Sequence, residues 1–248
     1  MANLKDVFSD IVKYTAVGGI EHVKITKEDD ETKINAFMET VVVVQGKIHQ
    51  DVPEIDQDLG MGNLGFLKAL VSLQNYRESG TINLGKQSKK PDVIDNLVFK
   101  DQDGNTDQYR FMSGDLINKY LSKIPKFRGI KWDVTFSPSR ESADAIATLN
   151  SLYGSIESNF SLTTEDDNLI IHVVGQQGAF MGRRILAKNV TGSLKVSHSW
   201  PLSLVHQVMT LCMSGNCKMQ ISDKGAIMMT VDSGIGEYTY IMAAQQNN

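Results

Sequence analysis

The chain repeats itself, and this limits its fold more than any single motif does. VKITKEDDETKINAF, starting at Val23, lines up with FSLTTEDDNLIIHVV, starting at Phe160. Glu28-Asp29-Asp30 then falls on Glu165-Asp166-Asp167, at an offset of 137 residues. The same offset places Leu67 on Leu204, Ile82 on Met219 and Leu84 on Ile221. Further on, LVFKDQDGNTDQYRFM (97–112) matches IMMTVDSGIGEYTYIM (227–242) at an offset of 130, because the first copy carries an extra loop, KQSKKPDVIDN. Several matches in one order, at nearly one spacing, describe a duplicated unit. Each acidic triplet sits between two alternating runs and reads as a hairpin tip.

Both copies predict the same succession of elements. The first opens with a helix from about Asn3 to Tyr14, where Asn3 can cap and Asp6 takes the third helical position. Its residues Leu4, Val7, Phe8, Ile11 and Val12 form one apolar stripe. Strands are expected near 20–27, 32–38 and 40–49, a second helix near 63–74, and strands near 80–85, 96–101 and 107–112. The second copy is expected to begin with a strand at 131–136 and a helix at about 140–153 capped by Ser139. Strands at 157–164, 168–174, 180–187 and 192–198 follow. A helix starting at Trp200-Pro201 uses proline where a missing N–H costs nothing, and a meander over 216–242 completes the copy. GDLINKYLSKIPKFRGIKWD, starting at Gly114, belongs to neither copy and reads as a connector. The predicted domains are 1–113 and 131–248, joined by 114–130. The fold class is α+β, with two helices per domain packed on mostly antiparallel sheets.

A hydrophobic content of 41% and a charged content of 22% suit a chain of 248 residues that buries a real core. No run approaches the roughly 20 apolar residues of a membrane span, and MANLKDVFSD lacks the apolar stretch of a signal peptide. Only Cys212 and Cys217 are present, too few for a disulfide framework, so a reducing cytoplasm is expected. A net charge of −4 argues against a surface coated with nucleic acid but allows a local basic patch.

If each helix buries its stripe on a sheet, the opposite face is left for solvent or a partner. That face carries Lys5, Ser9 and Lys13, with Asp6 and Asp10 beside them, on the first helix. On the second it carries Asn63, Lys68 and Ser72, with Arg77 just beyond. Arg140, Asp144, Thr148 and Ser151 flank the third helix, and Ser203, His206, Gln207 and Thr210 the fourth. For any one helix the plain reading is a solvated face. Taken together, hydroxyls, amides and scattered cations suit loose, sequence-independent phosphate contact. There is no helix-turn-helix, zinc-finger or aromatic ribonucleoprotein pattern.

Two copies of helix–strands–helix–meander with a cationic joining segment resemble a DNA sliding clamp. The likeness is to the trimeric clamps, the proliferating cell nuclear antigen class and the T-even-type phage clamps. HSWPLSLVHQVMTL (198–211) and CKMQISDKGAIMMTVDSGIGEYTYIMA (217–243) look like the last helix and closing strands of a clamp. IDQDLGMGNLGFLKALVSL (55–73) looks like the loop and helix of a phage clamp's first domain. The resemblance implies a non-catalytic homotrimeric ring around duplex DNA that tethers a replicative polymerase and is placed by a clamp loader. It needs no cofactor or metal, and it works in the cytoplasm (that of an infected bacterium if phage-encoded). Carried onto this chain, the DNA-facing residues are Lys5, Lys13, Lys68, Arg77, Arg140 and, more weakly, His206. The third and fourth helices hold fewer cations than a clamp's inner face leads one to expect. Lys119, Lys123, Lys126 and Arg128 lie in the connector, which runs outside in such rings. Tyr109 and Phe111 of the strand at 107–112 would meet Leu194 and Val196 of a neighbour's strand at 192–198. Leu116, Ile117 and Leu121, with Tyr240, Met242 and Ala243, would line a pocket for partner peptides. Met242 has core filling as its plain alternative.

Two other functions are open to such a chain. One is a monomeric DNA-binding processivity factor of the herpesvirus type, which requires a more basic helix face. The other is a nucleotide-binding enzyme using Gly60-Met61-Gly62-Asn63-Leu64-Gly65, which spells G-x-G-x-x-G. The residues before it, DVPEIDQD, make a poor buried strand and would repel phosphate. His198, His206, Cys212 and Cys217 have no common zinc spacing, and Cys212 reads as a buried thiol on the apolar side of its helix. The acidic triplets read as solvated turns. The run IMMTV (227–231) puts apolar residues on both faces of its strand, and the connector residues Leu116, Ile117, Leu121 and Ile124 are expected to cover the second face.

Overall fold

A computed structural model describes residues 3–38, 41–122, 124, 127 and 129–245. Lys123, Lys126 and Arg128 of the connector lie outside the described residues. The chain forms two compact units. The first comprises Met1–Glu39, Val44–Ile124 and Gly234–Tyr238, and the second Thr40–Val43, Pro125–Ser233 and Thr239–Asn248.

The first copy runs α1 (Leu4–Thr15), β1 (Val23–Glu28), β2 (Glu31–Met38), β3 (Val42–Ile48), β4 (Leu59–Met61), α2 (Leu64–Ser72), α3 (Gln74–Glu78), β5 (Thr81–Gln87), β6 (Lys90–Lys100) and β7 (Thr106–Arg110), and α4 (Gly114–Leu121) follows. The second runs β8 (Val134–Phe136), α5 (Arg140–Tyr153), β9 (Asn159–Glu165), β10 (Asn168–Val174), β11 (Met181–Ala187), β12 (Thr191–Gly192), β13 (Ser199–Pro201) and α6 (Leu202–Cys212). It closes with β14 (Asn216–Ser222), β15 (Ala226–Asp232) and β16 (Gly236–Ala243).

The duplication survives in the strand order. β3-β2-β1-β4 in the first copy corresponds to β11-β10-β9-β13 in the second, and β5-β6-β7 to β14-β15-β16. The acidic triplets turn the equivalent hairpins. Asp29 and Asp30 have φ of 47° and 63°, and Asp166 and Asp167 have 48° and 60°. Two successive left-handed residues are the signature of a type I′ turn, which matches the natural twist of a hairpin, and aspartate tolerates that conformation better than most side chains.

Local chemistry explains the helix ends. Asn3 accepts from Lys5 N (3.0 Å) and caps α1. Ser139 and Ser142 form a reciprocal capping box on α5. Pro201 takes the cap position of α6, one residue before the expected first turn. The apolar stripe of α1 is fully buried at Val7, Phe8, Ile11 and Val12. The crowded strand resolves as Ile227, Met229 and Val231 on a buried face, with Met228 and Thr230 half-buried on the other.

Two expectations need correction, the strand at 192–198 and the free thiol of Cys212. The residues of 193–198 form no strand, because side chains take their amides. Thr164 Oγ1 accepts from Leu194 N (2.9 Å), and Asp223 Oδ1 accepts from Lys195 N (2.8 Å) and Val196 N (3.2 Å). The glycine-rich stretch begins inside β4, a short strand antiparallel to β1, which is not the strand context of a dinucleotide site. The connector begins as a helix: α4 lies on β1, β2 and β4, with Ile117 fully buried and so close to Gly60 that a Cβ there would come within 2.8 Å of it. Cys212 is no free thiol, since a disulfide joins it to Cys217.

Candidate nucleic-acid interface

In the first unit α1 lies against α2, and in the second α5 lies against α6. The exposed side of each pair carries most of the residues expected there. Lys13, Lys68 and Arg77 are exposed, as are Asn63 and Ser72. Lys13 Nζ lies 5.0 Å from the centroid of the Tyr14 ring. Arg77 lies 3.4 Å from Glu78, an exposed pair worth little in water. Lys5 is only half-exposed and donates to Gly80 O (3.1 Å), so part of its charge serves the fold.

In the second unit Arg140, Asp144, Thr148 and Ser151 of α5 are exposed, with Ser203, Gln207 and Thr210 of α6. His206 is half-buried, with Asn150 Nδ2 donating to its Nδ1 at 3.3 Å. Arg140 stands beside Glu141 and one turn from Asp144, so this surface is weaker in positive charge than that of α1, α2 and α3.

Asp10 is misplaced by sequence reasoning. It is 8% exposed and accepts from the Tyr238 hydroxyl (2.8 Å). Tyr238 also stacks on Tyr14, with ring centroids 4.8 Å apart and planes 9° from parallel. Nothing in a helical stripe reveals a residue 228 positions away that supplies a buried hydroxyl.

The residues assigned to self-association are scattered. Tyr109 is buried and its hydroxyl donates to Gly62 O; burial holds its pKa above the ordinary phenol value. Phe111 is half-buried against Tyr109 and Phe8. Leu194 is half-buried and Val196 is exposed, both in the irregular stretch described above. The strand edges lie elsewhere. Among the described residues β7 ends one sheet and β11 ends another.

Both edges have a counterpart inside the first unit. There Gly234–Tyr238 runs beside β3, with His49 N donating to Ile235 O (2.9 Å), and Tyr238 covers Asp10 and Tyr14 of α1. The repeat equates β3 with β11, α1 with α5, and β16 with β7. Around β11 and α5, Leu152, Ile156 and Met181 stand 55%, 64% and 68% exposed. β7 borders a cavity of about 370 Å³ lined by His22, Gly62, Asn63, Phe66, Tyr109, Arg110 and Met112. The β7 side carries exposed Asp103, Asp107 and Arg110, and β11 carries exposed Arg184 and Arg183, the latter paired with Glu165 at 2.9 Å. Tyr76 donates to Asp107 (2.6 Å), and this bond, with burial, pushes the phenol up to about 12.

Of the six residues expected in a partner pocket, Ile117, Tyr240 and Met242 are fully buried and serve the core. Leu121 and Ala243 are half-buried, and Leu116 is 43% exposed on α4. Burial of Tyr240 and Met242 follows from their alternation with Ala243 along β16, whose pleat the apolar composition of that stretch does not reveal.

No family model and no curated protein matches the chain. Solved structures do. PCNA from Thermococcus kodakaraensis superposes with a TM-score of 0.68 at 11% identity, over 99% of this chain and 98% of that one. A. fulgidus PCNA, solved with the C-terminal region of FEN-1 bound, gives 0.66 at 12% identity, over 99% and 96%. Proliferating Cellular Nuclear Antigen from Entamoeba histolytica gives 0.68 at 11%, over 97% and 95%. Likeness over nearly the whole of both chains establishes the DNA clamp fold.

Proposed function

We propose that this chain is a DNA sliding clamp, a non-catalytic ring that encircles duplex DNA and tethers a replicative polymerase. One observation carries the reading: the duplicated clamp fold sets two helix pairs whose exposed faces hold cations, hydroxyls and amides. Such faces hold phosphates without reading bases, and so permit sliding. The DNA-facing set is Lys13, Lys68, Arg77 and Arg140, with Lys5 and His206 as lesser contributors. Duplex DNA, a polymerase, a clamp loader and further copies of the chain are the partners that follow. The proposed domains are 1–113 and 131–248 with the connector 114–130, and Leu116 and Leu121 of α4 are proposed to take part in binding partner peptides.

Ring closure is proposed to join β7 of one copy to β11 of the next, as a homotrimer. This replaces the stretch 192–198 as the partner edge. The internal counterpart supports it, and so do the exposed apolar residues Leu152, Ile156 and Met181 around β11 and α5. Head-to-tail joining of two different edges can close into a ring and covers both the β7 and the β11 edge. The experiment is charge reversal: Lys13→Glu, Lys68→Glu and Arg77→Glu together should abolish DNA tethering while the oligomer keeps its mass. Unchanged tethering would remove these residues from the DNA-facing surface.

A further inference from the structure

The cysteine pair has no part in tethering DNA. Cys212, the last residue of α6, is fully buried, and Cys217, near the start of β14, is half-buried. Their Cα atoms lie 5.2 Å apart across five positions of sequence, joined by a disulfide. Backbone interactions that do not involve the sulfurs set this spacing. Ser214 N donates to Leu211 O (3.1 Å) and Gly215 N to Cys212 O (3.3 Å), closing the turn. β14 then pairs with β15 from Asn216↔Asp232 and Cys217↔Val231 onward. Gly215 packs so tightly that a Cβ there would lie 2.0 Å from Asp232 O.

Helix, turn and ladder therefore hold both sulfurs within reach of each other, bonded or not. A disulfide restrains the unfolded chain in proportion to the logarithm of the loop that it closes, and this loop is among the shortest. The arrangement is poor as a staple and good as a pair that cycles without unfolding. We propose that Cys212 and Cys217 form a reversible thiol–disulfide switch that locks the C-terminal turn of α6 to β14. The inference goes beyond the clamp reading and does not depend on it.

The chemistry balances with an external thiol. Its thiolate attacks Cys217 Sγ, since Cys217 is half-buried while Cys212 is fully buried. The protein S–S bond breaks, and Cys212 leaves as a thiolate that takes up a proton. A second thiol attacks the mixed disulfide and releases Cys217. The products are two cysteine thiols and one small-molecule disulfide, two electrons having passed to the protein. The reverse step uses a low-molecular-weight disulfide as oxidant. The reduced pair packs as two small apolar groups. Reduction leaves the Met213–Asn216 turn held by hydrogen bonds such as those of Ser214 N and Oγ to Leu211 O and of Gly215 N to Cys212 O.

The test equilibrates the native protein in mixtures of reduced and oxidised glutathione, quenches by alkylation and reads the mass. Amide hydrogen exchange over 208–217 is measured at both ends of the series. Full, reversible conversion with unchanged far-ultraviolet circular dichroism is expected. Exchange in the 213–216 turn should be several-fold faster in the reduced form, and Cys217→Ser should match that form at every redox ratio. A pair that stays oxidised in excess dithiothreitol until the protein unfolds would overturn the proposal, as would conversion with identical exchange in both states.

Discussion

At the scale of single residues, the sequence reveals what a repeat or a stripe can encode and hides what depends on distant partners. Asn3 and Ser139 were legible as caps because capping is local, whereas Asp10 was not, since its hydroxyl donor arrives on Tyr238. The same holds for Asp101, which is 7% exposed. Its Oδ1 accepts from Asn105 N (2.8 Å), and its Oδ2 from Asn105 Nδ2 (2.9 Å) and Asn75 Nδ2 (2.8 Å). Bonds from Asn105 and then Asn75 hold this carboxyl below the ordinary aspartate value. A depressed pKa contributes stability above the unfolded value, about 3.9, and that contribution is lost as pH falls through the folded value. Asp101→Asn should therefore lower the urea midpoint near neutral pH. The gap from the parent should hold steady down to about pH 5 and close below about pH 4. A gap independent of pH, read from urea titrations at several pH values, would mean that the ionised carboxylate is not what matters.

At the scale of elements, most of the fold was readable because the second copy checks the first. The hairpin tips illustrate this, since a turn that one triplet suggests weakly is supported when both sit at the same offset. Asp30→Val and Asp167→Val should each cost about 1–2 kcal/mol, the penalty of a β-branched side chain in left-handed backbone, measurable by chemical denaturation. Equal losses are expected because the turns are equivalent; a loss at one site only would break that equivalence. Where the copies differ, sequence reading failed. The repeat offered no guide to α4, which lies outside it. The strand expected at 192–198 dissolved because Thr164 and Asp223 claim its amides, and no local pattern announces side chains that arrive from elsewhere.

At the scale of the whole molecule, self-association was legible only as a need for covered edges. Alternation in 192–198 imitates a strand that the chain does not form, while the exposed Met181 and Ile185 of β11, the edge proposed instead, are recognisable only once its pleat is known. Leu152→Asp and Ile156→Asp replace exposed apolar side chains of α5 and of the turn that follows it. They should barely move the thermal midpoint of the separated chain yet convert the assembled species to single chains in sedimentation velocity. Persistent assembly would remove α5 and β11 from the joint. The central claim, that the ring surrounds DNA, is tested most directly by retention. The protein is allowed to thread onto linear duplex DNA, both ends are blocked with bulky protein caps, and the complex is washed in high salt. The account predicts that the protein stays on capped DNA, leaves uncapped DNA, and is released from capped DNA when a restriction enzyme cuts between the caps. Equal loss from capped and uncapped DNA, or retention that survives the cut, would contradict it.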